Sequence, residues 1–172
     1  MINRIGSDTN PDFFFLSYDK QTVCVKSFII VPKHFIVPDL IAQRKALSPE
    51  ARRAGWIGCN ILFHLIPEQG RIFAINNGTI LNKEGVVAQM NRAYSIKTKN
   101  IESRSWLNDI LNCVDSFGSN AFTLQQIYQF ENILSNKHPN NNNIRAKFRQ
   151  QLQLLRDNGF IEFSGKGIYR KI

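Results

Sequence analysis

The chain has 172 residues, 43% of them hydrophobic and 11% aromatic, enough apolar material for one domain or two small ones, which excludes disorder as the default state. Its formal net charge of +9 favours a polyanionic partner, because each cation docked on a phosphate releases condensed counterions; nucleic acid is the first candidate and an acidic membrane surface the second. No apolar run approaches the roughly 20 residues of a transmembrane helix, and Met1-Ile2-Asn3-Arg4-Ile5-Gly6 lacks the basic head and apolar core of a secretory signal, so a cytoplasmic location without membrane is expected.

Phe13 to Tyr18 and Val23 to Val31 are rich in β-formers and flank the polar Asp19-Lys20-Gln21. They predict an antiparallel hairpin closed by Pro32 and Pro38. Arg71 to Ile75 and Thr79-Ile80-Leu81, joined through Asn76-Asn77-Gly78, predict a second, because Asn-Gly tolerates the positive φ of a type I′ turn. Lys83 to Tyr94 reads as a helix. The first hundred residues are therefore an α+β fragment whose sheet need not be complete. The polar run Lys97 to Ser103 is expected to be a linker, dividing residues 1–98 from 99–172.

Beyond it, Trp106, Ile110, Cys113, Val114 and Phe117 line one helical face that ends at Gly118. Thr123 with Gln126 makes a capping box, opening a helix that buries Leu124, Ile127, Phe130 and Leu134. Pro139 and Asn140 to Asn143 break the chain. A basic amphipathic helix, Asn143 through Asn158, then stops at Gly159; Ile144, Phe148, Leu152 and Leu155 form its apolar stripe, with Arg145, Lys147, Arg149, Gln150, Gln153 and Arg156 on the other faces. Phe160, Ile161 and Phe163 form a strand, Ser164 to Gly167 a turn, and Ile168 to Lys171 the returning strand. Three helices and a hairpin are the order of a winged helix. From Lys137 onward eight cations face only Asp157 and Glu162, so the positive field sits on the helix and wing themselves.

An active site is harder to find. Cys24, Cys59 and Cys113 form an odd, dispersed set that suits reduced thiols in apolar positions, and His34, His64 and His138 lack ligand-like spacing, so no zinc site is legible. A nuclease would need a carboxylate pair and a lysine around Mg²⁺. Asp12 opens a strand, but the residue two before Lys26 is Cys24, a poor ligand for a hard cation. Asp39 with Glu50-Ala51-Arg52 ends in an arginine, which stays protonated, and is interrupted by Pro49. Arg52, Arg53 and Trp56, in a glycine-flanked loop, could instead hold phosphates while the indole packs on a base or base methyl; the alternative is a core tryptophan with solvated arginines.

The run Asn10-Pro11-Asp12-Phe13-Phe14-Phe15-Leu16, the block Ala51-Arg52-Arg53-Ala54-Gly55-Trp56-Ile57-Gly58-Cys59-Asn60 and the tail from Arg149-Gln150-Gln151-Leu152-Gln153 to Ile168-Tyr169-Arg170-Lys171 closely resemble the Dam-replacing family of DpnI-like type II restriction endonucleases, over essentially the whole chain. The resemblance implies a PD-(D/E)xK nuclease-like α/β domain, which in the family carries a four-cysteine zinc site and cuts GATC only when its adenine is methylated, followed by a C-terminal winged helix that also reads the methylated site. It implies too that the Mg²⁺-binding Asp, the Glu-x-Lys and the zinc cysteines precede the segment where this chain begins, so Mg²⁺ and structural zinc are cofactors of the full-length family member and none is expected here. By that likeness Trp56 corresponds to the tryptophan near the adenine methyl groups, and the third helix and wing to the second methyl-dependent reader.

The fold expected is α+β: the back portion of a nuclease-like domain over residues 1–98 and an intact winged helix over 99–172. The function expected is binding, without cleavage, of double-stranded DNA carrying methylated GATC. Arg145, Lys147, Arg149, Lys166, Arg170 and Lys171 are candidates for phosphates or bases, and Asn143, Gln150 and Gln153 for base edges, because amides pair bidentately with adenine. The protein is expected to be a monomer. Two rivals stay open: an endonuclease completed by an upstream catalytic polypeptide, and a winged-helix transcription regulator, which would need a dimer to place two helices in successive grooves.

Overall fold

A computed structural model describes residues 5, 11–96, 98 and 100–172. The signal-peptide reading over Met1 to Gly6 (Ile5 apart), Asn10 of the first family-like run, and Lys97 and Lys99 of the expected linker lie outside the described residues.

In the N-terminal half, β1 (Phe13–Asp19) and β2 (Cys24–Val31) form the expected hairpin, in register from Phe13 opposite Val31 to Asp19 opposite Cys24 with one bulge. The β-rich runs drive it, and Asp19 closes the turn by accepting from the Gln21 backbone N–H at 2.9 Å. The second hairpin joins the same sheet through β5 (Ile72–Asn76) and β6 (Thr79–Ile80), giving the order β1-β2-β5-β6. Asn77 and Gly78 turn between them with φ of 48° and 77°, both positive as a type I′ turn requires. A separate two-stranded ribbon, β3 (Ile41–Ala46) and β4 (Ile57–Ile61), carries the loop that holds Trp56. Helix α1 (Lys83–Ser95) follows, its N-cap Asn82 accepting from Gly85 N–H at 2.8 Å.

The expected linker is shorter than its polarity suggested. Asn100 caps helix α2 (Ile101–Asp115) by accepting from Ser103 N–H at 2.8 Å, so Ile101, Glu102 and Ser103 are already helical: a side-chain cap converts polar sequence into a helix start. The helix also stops at Asp115, before Gly118, where the Ser116 and Phe117 amides close the last turn. The capping box of Thr123 and Gln126 forms in both directions. The helix it opens is nevertheless broken into α3 (Leu124–Ile127), a 3₁₀ turn (Tyr128–Phe130) and α4 (Glu131–Lys137). Helix α5 (Ile144–Asp157) is followed by β8 (Ile161–Gly165) and β9 (Ile168–Lys171); Phe160 lies just before the strand, buried in the core. A short strand that the pattern did not show, β7 (Ala121–Thr123), pairs with β9 and completes a three-stranded sheet β7-β9-β8.

Both halves contribute to one apolar core, in which Trp106, Leu107, Ile110, Leu111 and Val114 of α2 are fully buried. Helix α2 also carries polar contacts across the junction. Asp115 accepts from the Glu68 backbone at 2.8 Å and from Gln69 Nε2 at 2.9 Å, and Asn112 donates to the Leu65 carbonyl at 3.0 Å. Asp109, buried at 8% side-chain exposure, pairs with Lys137 at 2.5 Å and His138 at 2.7 Å, and Lys137 reaches back to Asp39 at 2.9 Å. His138 stacks on Trp106 with ring centroids 3.8 Å apart. The two halves are thus held together through α2. No described helix is long and apolar enough to cross a membrane.

Candidate nucleic-acid interface

The apolar stripe of α5 fixes which side chains reach outward. Ile144, Phe148, Leu152 and Leu155 are each at most 6% exposed, which at 100° per residue leaves Ala146, Gln150 and Gln153 on the opposite side and Arg149 on the flank. Gln150 and Gln153 are exposed there, and Asn143 is exposed at the helix start with its side chain making no cap. Gln151, by contrast, is buried at 4% with its Oε1 lacking a donor among the described residues; periodicity alone did not separate it from its exposed neighbours. A cleft of about 350 Å³ runs along this flank, lined by Ser103, Lys147, Gln150, Gln151, Gln153 and Asp157.

The cations are not equivalent. Lys147 is half-buried, its Nζ 5.8 Å from the Trp106 ring centroid. Arg145 Nε donates to Glu131 at 2.8 Å, and Arg149 Nη1 donates to the Tyr128 hydroxyl at 2.9 Å. Arg156 pairs with the neighbouring Asp157 at 2.8 Å, and Arg170 with Glu162 across the wing strands at 3.1 Å. Lys171 Nζ donates to the Phe117 carbonyl at 2.7 Å, a helix-end acceptor. Lys166 is exposed at the tip, with φ of 49° beside Gly167 at 73°; two successive positive φ angles make the wing a tight two-residue turn.

Trp56 is not a core residue: it is 52% exposed on the loop between β3 and β4. The loop is closed by Leu47 N–H to Trp56 O at 2.9 Å and Trp56 N–H to Arg53 O at 3.0 Å. Its indole lies against Gly58, where an added Cβ would come within 2.9 Å of Cη2 and Cζ3. Arg52 and Arg53 are exposed beside it, and their side chains make no hydrogen bond or ion pair among the described residues.

The expected chemistry of the remaining groups is also corrected in part. Cys24, at the start of β2, and Cys59, on the two-stranded ribbon, are exposed rather than in apolar positions; Cys113 alone is buried, and burial pushes its thiol up to about 12. Among the described residues no three His, Cys, Asp or Glu side chains gather in a group that could hold a metal. Asp12 is occupied by the Lys33 backbone N–H at 2.9 Å and by the Tyr94 hydroxyl, and Asp39 by Lys137. The described residues therefore do not fit the Mg²⁺ or zinc that the resemblance implies for the family.

The family pattern described as DpnI, Dam-replacing family, matches residues 1–99, and that described as the Dam-replacing HTH domain matches residues 102–171. The chain belongs to the Dam-replacing family. Its α+β architecture joins a DpnI nuclease-like portion to a C-terminal helix-turn-helix domain, and that membership makes it a DNA-binding protein of a DpnI-like restriction system.

Proposed function

We propose that this Dam-replacing protein binds duplex DNA at adenine-methylated GATC, as a monomer, and does not cut it unaided. The unit over residues 99–172 would present α5 to the major groove, with Gln150, Gln153 and Asn143 toward base edges and Arg145, Lys147, Arg149, Lys166 and Arg170 toward phosphates. Lys171, engaged by Phe117, would contribute field rather than contact. The observation that carries the methyl preference is the exposed indole of Trp56 beside the uncommitted Arg52 and Arg53. A methyl group buried on such a face contributes about 0.8 kcal/mol, so two favour the methylated site about tenfold. The occupied state of Asp12 and Asp39 supports binding without cleavage. The test compares methylated and unmethylated GATC duplexes with Mg²⁺ present: tighter binding of the methylated duplex and no nicks are expected. Equal affinity, or cutting by the purified chain, overturns the proposal.

A second reading, an endonuclease completed by an upstream catalytic polypeptide, is favoured by one observation. Phe14 and Leu16 on β1 are each 63% exposed, and Ile80 is 80% exposed on the same sheet, apolar surface of the kind that partners cover. Supplying a polypeptide with the carboxylates, lysine and cysteines would restore Mg²⁺-dependent cutting if that reading holds.

A further inference from the structure

Tyr128 lies outside every residue assigned above, in the 3₁₀ turn before α4. Its ring stands edge-on to Phe148 of the buried stripe, with centroids 5.8 Å apart at 65°, so the core fixes its position. Two cations of α5 converge on it. The Arg145 guanidinium lies over its face, 5.1 Å from the centroid, and Arg149 Nη1 donates to its hydroxyl oxygen at 2.9 Å. Because Tyr128 accepts from Arg149, its own hydroxyl proton has no acceptor among the described residues and remains available. Glu131 takes up the charge of Arg145, which leaves the pair with the net charge of Arg149 alone.

An O–H donor and the remaining guanidinium N–H groups, side by side and carrying one positive charge, match a backbone phosphate, which offers adjacent oxygens and one negative charge. We propose that Tyr128 and Arg149 form a phosphate seat that grips the DNA backbone beside α5. This rests on the DNA-binding reading. The seat is built before DNA arrives: Phe148 backs the ring, and the ring orders both arginines, so less side-chain freedom is lost on binding.

The full-length chain should be titrated with methylated and unmethylated GATC duplexes across a range of salt, as wild type, Tyr128→Phe, Arg149→Gln and the double variant. Phenylalanine keeps the packing on Phe148 and the face under Arg145, so the thermal unfolding midpoint should stay unchanged. Tyr128→Phe is expected to weaken both duplexes equally, about threefold to tenfold, without altering the salt slope. Arg149→Gln should lower that slope by about 0.9. The double variant should lose less than the product of the two single losses, because either change already breaks the seat. Wild-type affinity in Tyr128→Phe, strictly multiplicative losses, or a changed methylated-to-unmethylated ratio overturns the seat alone. A wild-type chain that binds neither duplex overturns the DNA-binding reading and the seat with it.

Discussion

Along α5 the four apolar side chains of the stripe are each at most 6% exposed, whereas along β1 Phe14 and Leu16 are each 63% exposed. The stripe of α5 is wholly covered, whereas β1 is apolar on both faces and only its Phe13 and Phe15 side packs against the core. In the C-terminal sheet Phe122 and Ile161 are buried at 1% and 2%, while Phe163 and Ile168 stay 47% and 39% exposed. In the N-terminal sheet Val31 and Ile72 are buried at 0% and 1%, yet the opposite face is open and β1 is an edge among the described residues. A strand that leaves its hydrogen-bonding groups and apolar side chains to solvent is a surface for pairing. The C-terminal half thus covers its longest apolar stripe, and the N-terminal half leaves the outer face of β1 open.

The comparison is broken most directly by matched truncations. Leu152→Ala, at a fully buried position, should cost about 2–5 kcal/mol in urea unfolding, while Leu16→Ala should stay within about 0.5 kcal/mol; equal losses would mean that the β1 face is covered in solution. Smaller, but aimed at the junction, is Asp109→Ala. It strips Lys137 and His138 of their shared acceptor and should cost about 2 kcal/mol, less than the loss of a fully buried pair because Lys137 is 37% exposed. Burial alone would lower the Lys137 pKa, but the bonds to Asp109 and Asp39 outweigh it and raise the value above 10.5. A raised lysine stabilises fully below its unfolded pKa and ceases to as pH climbs through the folded one. The gap between wild type and Asp109→Ala should therefore hold from neutrality to about pH 10 and narrow above it; a gap already closing near pH 8 would refute the pairing. The smallest effect is Thr123→Ala, about 1 kcal/mol from the lost capping box, read as a shift of the urea midpoint.

Where a periodic signal was long, the sequence was legible. The stripe of α5, the Asn77-Gly78 turn, the first hairpin and the Thr123 capping box each rest on local chemistry that the fold keeps. Strand β7 was not legible because three residues cannot show alternation. Its place is set by β9, to which it pairs from Ala121 opposite Arg170 to Thr123 opposite Ile168. The docking of the two halves was hidden in the same way: Asn112, Asp109 and Asp115 look like the solvated side of α2, and only tertiary neighbours make them bridges. Among the candidate site residues, the outward direction of Gln150 and Gln153 follows from the stripe, but the engagement of Lys171 by Phe117 and of Arg149 by Tyr128 depends on residues distant in sequence. The exposure of Trp56 could have been suspected from Gly55 and Gly58, since a loop bracketed by glycines gives an indole little to pack against but backbone.

That bracket sets the pose of the ring. Because position 58 has no side chain, the six-membered ring of Trp56 comes up against bare main chain, and a single methyl there would meet it at 2.9 Å and push it away. The angle of the aromatic plate is therefore governed by an atom that is missing two residues downstream. Gly58→Ala offers a way to re-aim the plate while leaving its chemistry untouched.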